Sequence, residues 1–188
     1  MKIIGKITLL LLCAVWVQAQ QYRLADSLQR KLDHIQKNAK LAHPDQTPTV
    51  MTEDEVNDYF AAGRVKLPQG VKKVSYQFQT GIITGLATID FDEIRAGQRS
   101  SNPLLSLFSG THNVRVEADA AGGGGQGKVH VRTVSIDGVD VPRMLLEYFI
   151  NTYLKPKYPN IGIDSEFQLA DRIDLAIVGY HKLTVTQK

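Results

Sequence analysis

Four groups of residues in the 188-residue chain have the types and spacing that chemistry uses. Gly122, Gly124 and Gly127 fit the G-x-G-x-x-G spacing that brings a dinucleotide pyrophosphate to a helix N-terminus. The residues that follow, Val129-His130-Val131-Arg132, alternate as a strand does, so no helix is there to receive a phosphate and a hairpin loop is expected instead. Asp90 and Asp92 share one face of a strand end, but a hard cation asks for roughly six or more oxygen ligands and two carboxylates fall short. The acids of Thr52-Glu53-Asp54-Glu55 are explained by helix-start chemistry: Thr52 caps, Glu55 reaches back, and carboxylates are favoured at the positive end of the dipole. Ser109 and His112 are close in sequence, yet nothing nearby orients them as a nucleophile and base. His34, His43, His130 and His181 are scattered, and His130 alternates outward between two valines. G-x-S-x-G, S-x-x-K, H-E-x-x-H and P-loop motifs are all missing. The expectation is a non-enzyme with no catalytic residue, metal site or cofactor.

Composition closes further classes. Lys2 and Lys6, the apolar run from Ile7 to Val17, and Val17-Gln18-Ala19 form a secretory signal peptide over residues 1–19, which predicts a periplasmic or secreted protein. The apolar run is too short to span a bilayer, and Leu12 stands before Cys13 where a lipoprotein signal needs a small residue. Cleavage removes the only cysteine and two of the 22 basic residues, leaving 20 against 19 acids. A mature chain of that kind has no disulfide, thiol nucleophile or cysteine metal site. Being almost neutral, it also lacks the electrostatic footprint of a nucleic-acid binder.

The elements that must position any site are legible from periodicity. Residues 22–42 predict an amphipathic helix with Leu24, Leu28, Leu32, Ile35, Ala39 and Ala42 on one stripe and Arg30, Lys31, Lys37 and Lys40 beside it. Such a helix can pack on the domain or pair with another helix, such as that of a protein partner, which together are the default, or touch a membrane surface transiently. With the Pro-containing linker that follows, it makes up residues 20–51, and a single α+β domain is expected over 52–188. Alternating strands run through Lys73–Phe78, Ile83–Phe91, Asn113–Ala120 and Val129–Ile136, with a bulge near Arg132-Thr133 where the apolar phase shifts. Gly85 and Ala87 leave room against the sheet for something bulky. Leu104–Phe108 predicts a short apolar helix, and Phe167–Leu169, Ile173–Ile177 and Leu183–Val185 predict the last strands. Ser135–Pro156 is the most structured stretch: Pro142 starts a helix on which Leu145, Leu146, Phe149, Ile150, Tyr153 and Leu154 span about half the circumference. A face that wide calls for a strongly curved, mostly antiparallel sheet wrapped around one long apolar helix, with the N-terminal helix as an extra.

The order of motifs carries a family resemblance across Thr52–Gln187: T-E-D-E-V-N, then L-P-x-G-V before a strand, G-x-x-x-G-x-A-x-x-D-F, D-G-V-D-V-P-x-x-L-L-x-x-F before the main helix, and a terminal V-T-Q. This resembles the small phospholipid-binding proteins of the bacterial cell envelope, of the tubular lipid-binding type. The resemblance implies acyl chains lying in an apolar groove between helix and sheet. It points to an exported, non-catalytic envelope protein that binds a phospholipid or another apolar ligand. Under that reading the lining is Phe149, Ile150 and Tyr153 from the helix, Tyr76 and Phe78 from the first strand, and Leu104, Leu107 and Phe108 as a lid. The residues leave one alternative open: an envelope interaction protein with a filled core that docks a partner through residues 22–42.

Overall fold

Alternation of β-branched and polar residues builds nine antiparallel strands into one sheet, in a computed structural model that describes residues 23–96, 109–156 and 159–188 apart from the side chains at 95, 153 and 154. The expected signal peptide and the lid residues Leu104, Leu107 and Phe108 lie outside the described residues. The strands are β1 (Thr49–Thr52), β2 (Val71–Gln79), β3 (Ile82–Asp90), β4 (Thr111–Gly123), β5 (Gln126–Ile136), β6 (Val139–Asp140), β7 (Asp164–Gln168), β8 (Ile173–Gly179) and β9 (Lys182–Gln187). Their main order is β1-β9-β8-β4-β3-β2, and β5 runs along the other edge of β4 and carries β6 and β7. The long β4 has β3 beside it for most of its length, and β8 joins it at the single pair Gly122–Ala176. One half of the sheet is thus β2–β5 and the other β8, β9 and β1. The hairpin tips help to join them: Gly81 N–H donates to the Val178 carbonyl and His181 N–H to the Phe78 carbonyl.

The four described helices are short. They are α1 (residues 23–38), α2 (Glu53–Ala61), α3 (Phe91–Ala96) and α4 (Arg143–Phe149). This corrects the expectation of a sheet wrapped around one long apolar helix, because strand makes up about 44% of the described residues and the longest described helix, α1, has about 16 residues. The helix expected at the centre is α4, and none of its residues is buried; Met144 is 82% exposed. Its apolar face fails as a single stripe for a local reason. At Ile150 the chain widens into a π-helical turn, Ile150–Leu154, which breaks the 3.6-residue repeat on which a helical wheel depends. Residues before and after that turn no longer share one face, and of the predicted stripe only Ile150 is buried among the described side chains.

The helix that the sheet does cover is α1. Leu28 and Ile35 are buried with Met51 of β1 and Val185 of β9, and Leu32, Val56, Tyr59, Ile173, Ala176 and Leu183 pack around them. Ala25 and Asn38 complete the buried face, while Leu41 lies past the helix end and is exposed. The middle of the predicted stripe, Leu28 to Ile35, therefore faces the interior, while Ala42 lies beyond the helix and is exposed. Polar groups lock the same helix in register. The Glu55 carboxylate closes a capping box with Thr52 at the start of α2 and accepts from Ser27 at 2.7 Å and Lys31 at 2.6 Å on α1.

At the other end of α1, buried Asn38 donates to the Gln187 side chain at 2.8 Å, and Gln187 in turn donates to the carbonyls of Ile35 and Asp171. Gln187→Leu keeps the volume and strands these buried partners, each of which costs about 1–3 kcal/mol when unsatisfied. We expect roughly 2 kcal/mol of stability to be lost in urea unfolding. An unchanged midpoint would mean that water satisfies the stranded groups.

The glycine-rich stretch forms the β4–β5 hairpin. Gly124 and Gly125 have φ of 62° and 79°, the left-handed pair that a two-residue hairpin turn requires. The bulge falls where the apolar phase shifts: Glu117 pairs with Thr133 but Ala118 with Val131, which leaves Arg132 as the extra residue.

Candidate functional site

Period-two alternation in β2–β5 sorts the side chains onto two faces. On one face the register aligns three rungs across the four strands: Val74–Ala87–Val114–Ile136, Tyr76–Gly85–Val116–Val134 and Phe78–Ile83–Ala118–Val131. Of these twelve residues only Phe78 and Ala118 are buried, and the others remain half-buried. Small residues in the middle keep the floor shallow. A methyl group at Gly85 would lie 3.8 Å from the Tyr76 ring, so that ring extends over the gap. On its other side Tyr76 meets Phe60 of α2, with ring centroids 5.2 Å apart, and burial pushes its phenol pKa up.

At the β5 edge, α4 stands between two clefts. The smaller, about 190 Å³, is lined by Val131, Val134, Val141, Leu146 and Ile163, with Arg132 and Arg143 also lining it. The larger, about 400 Å³, lies along Ile150, Pro159, Ile161 and Ile163, with Arg143 and Lys155 among its polar residues. The smaller cleft is the more apolar, with Asp140 beside its two arginines, whereas the larger is mostly polar and sets Glu147 and Asp164 against its cations, so the smaller is the one that suits an apolar chain.

The residues predicted from sequence fall into separate places. Tyr76 and Phe78 sit on the edge strand β2, next to α2. Ile150 is buried in the larger cleft and Phe149 is half-buried on α4, at the opposite side of β2–β5. Tyr153 contributes only its place in the π-helical turn, since its side chain is not among those described. The structure thus does not gather the described predicted residues into one lining. The smaller cleft is lined instead by Val131, Val134, Val141 and Ile163, which the sequence reading left out of its lining. The signal that could have found them is the phase shift at Arg132-Thr133, which turns Val131 and Val134 to the same face despite their odd spacing.

The groups that suggested chemistry are engaged in local hydrogen bonds and ion pairs. Asp90 accepts from the N–H groups of Asp92 and Glu93 at the start of α3, and Lys72 neutralises it at 3.6 Å. His112 has Asp137 Oδ2 2.6 Å from Nδ1 and the Ser109 carbonyl 3.1 Å from Nε2. Both neighbours accept, so each favours a proton on the ring nitrogen that it faces, and the pKa is raised, first by the Asp137 hydrogen bond and then by Ser109. A ring with both nitrogens engaged is no general base. Among the described residues no group of three or more His, Cys, Asp or Glu is placed to hold a metal ion, and no helix is long and apolar enough to cross a membrane. Comparison with known proteins yields no match to any family, curated protein or solved structure.

Proposed function

We propose that this chain is a non-catalytic, exported binding protein for an apolar ligand, a phospholipid or a free acyl chain, held on the valine-rich face of β2–β5 beside α4. The observation that carries this reading is the half-open state of that face. Ten of its twelve rung positions stay partly exposed, while the closed core of Leu28, Ile35, Met51 and Val185 lies elsewhere, under α1. A continuous apolar face left partly open in this way is a candidate contact surface. Apolar burial is non-directional and contributes about 25 cal/mol per Å², so such a site needs shape and volume rather than a polar motif. The motif order shared with tubular lipid-binding proteins supports the same ligand class. Docking of a partner through residues 22–42 is the weaker reading, since Leu28 and Ile35 are already turned inward.

Titration with a fluorescent fatty acid, cis-parinaric acid, tests the proposal on the delipidated protein. Saturable uptake is expected, and Leu146→Asp, at a half-buried position of the smaller cleft, is expected to weaken it about tenfold through lost apolar contact. Native mass spectrometry of the same variant checks that it remains folded. Absence of uptake by the unsubstituted protein, or equal uptake by a folded Leu146→Asp, would refute the assignment.

A further inference from the structure

The opposite face of the same four strands holds a separate concavity of about 570 Å³. Two rungs build it, Lys73–Thr88–Asn113 running on to Asp137, and Ser75–Leu86–Arg115–Ser135. Alternation sets these rungs on the reverse side of the valine rungs.

Its polar groups are mostly donors. Lys73 offers an ammonium, Arg115 a guanidinium, Ser75 and Ser135 hydroxyls, and Asn113 an amide. Among the described residues no carboxylate lies within ion-pairing distance of Lys73. Arg115 has Glu117 only at 3.8 Å, and that carboxylate is shared with Arg132 at 3.7 Å. The single acid in the lining, Asp137, is already held by His112 at 2.6 Å and by the Asn113 N–H at 2.8 Å, and these contacts keep its pKa low. Thr88 donates to the Asn113 carbonyl oxygen at 3.2 Å, which leaves the N–H groups of that amide for another acceptor.

A donor-rich hollow with two under-compensated cations calls for an acceptor-rich dianion. A phosphate monoester carries about −1.5 to −2 charge and three peripheral oxygens, so cations approaching from different strands can share it. A carboxylate offers half the charge and one plane. The volume falls in the range of small organic ligands, and Leu86, with Ala87 and Val114 of the neighbouring valine rung, makes most of the exposed wall apolar, which suits the organic part of an ester. We propose that this concavity binds an organic phosphate monoester, with Lys73 and Arg115 clamping the phosphate and Ser75, Ser135 and Asn113 completing its hydrogen bonds.

The ester can arrive free or as a lipid headgroup, and two arms separate these sources. Calorimetric titration uses glycerol 3-phosphate against glycerol; sedimentation uses phosphatidic acid vesicles against phosphatidylcholine vesicles. The double substitution Lys73→Gln with Arg115→Gln is expected to weaken binding at least about tenfold in the responding arm. A control of equal charge change, Lys66→Gln with Lys182→Gln, lies outside the concavity and is expected to leave binding within about twofold. A response to glycerol 3-phosphate identifies a soluble ester, and a response confined to phosphatidic acid identifies a headgroup; either supports the site. The proposal is overturned if wild type binds neither probe, if the double variant binds like wild type, or if the control loses as much. Uptake of parinaric acid by the Lys73/Arg115 double variant should be unchanged, which keeps this test separate from that of the apolar face.

Discussion

Glu55→Ala is expected to remove about 3 kcal/mol of folding stability. Glu55 is only 5% exposed and its two oxygens serve three donors. They accept from Ser27 and from Lys31 on α1, and from the Thr52 N–H at the start of α2. Alanine therefore opens a capping box, worth about 1 kcal/mol, and removes the anchor between α1 and α2. Breaking a buried ion pair costs about 3–5 kcal/mol when the remaining charge is trapped. Lys31 keeps a side-chain exposure of 30% and can turn to water, which places the expectation at the lower end. The pH dependence gives a second, independent reading. Burial alone would raise the Glu55 pKa, but the hydrogen bonds from Lys31, Ser27 and Thr52 outweigh it and the pKa lies below the ordinary 4.5. A depressed folded-state pKa means that the carboxylate's contribution is fully present above the unfolded-state value and is lost as pH falls through the folded one. Urea unfolding of wild type and Glu55→Gln at pH 7 and pH 3 should show a gap at neutrality that narrows in acid. A gap of equal size at both pH values would mean that the glutamine differs by packing and that the charge contributes nothing.

How much of this was legible in the sequence depended on whether a signal was local. The capping box at Thr52–Glu55, the hairpin at Gly124-Gly125 and the bulge at Arg132 are set by neighbouring residues, and each stands where its pattern predicts. The placement of helices against the sheet is a long-range outcome, and there the reading failed. Both α1 and α4 present apolar stripes, and nothing in periodicity says which one the sheet will cover. The choice is made by contacts distant in sequence: Asn38 with Gln187, and Ser27 and Lys31 with Glu55. The π-helical turn at Ile150 is also invisible to a wheel drawn at 3.6 residues per turn, and it undid the face on which Phe149, Ile150 and Tyr153 were grouped. Tyr76 and Phe78 were read correctly as one face of a strand, but their strand lies at the far edge of β2–β5 from α4. Pairing order, unlike alternation, leaves no mark within a single strand.

Gly122→Ala is expected to be the other severe change, costing about 3 kcal/mol or more, while Gly127→Ala, at the residue directly opposite across β4–β5, is expected to cost about 1 kcal/mol. Both positions look equally crowded. A methyl at Gly122 would meet the Ala176 Cβ at 2.8 Å, Leu169 at 3.1 Å and the Ala176 backbone nitrogen at 3.2 Å. A methyl at Gly127 would meet the Phe167 ring at 2.6 Å. What differs is whether the neighbour can move. Phe167 is 46% exposed on β7, where it pairs with Gly127 and lies over it, so its ring can swing into solvent. Ala176 cannot retreat without moving the β8 backbone, and Gly122–Ala176 is the one pair through which β8 joins β4. The alanine at 122 therefore forces apart the seam between the half of the sheet that packs α1 and the half that carries both candidate ligand faces. Thermal unfolding of the two variants, with Phe167→Ala added to each, separates the cases. Phe167→Ala should cancel most of the loss in Gly127→Ala and none of the loss in Gly122→Ala. Equal losses in the single variants would show that the seam yields as easily as an exposed ring, and the two halves would then be coupled mainly through the hairpin tips at Gly81 and His181.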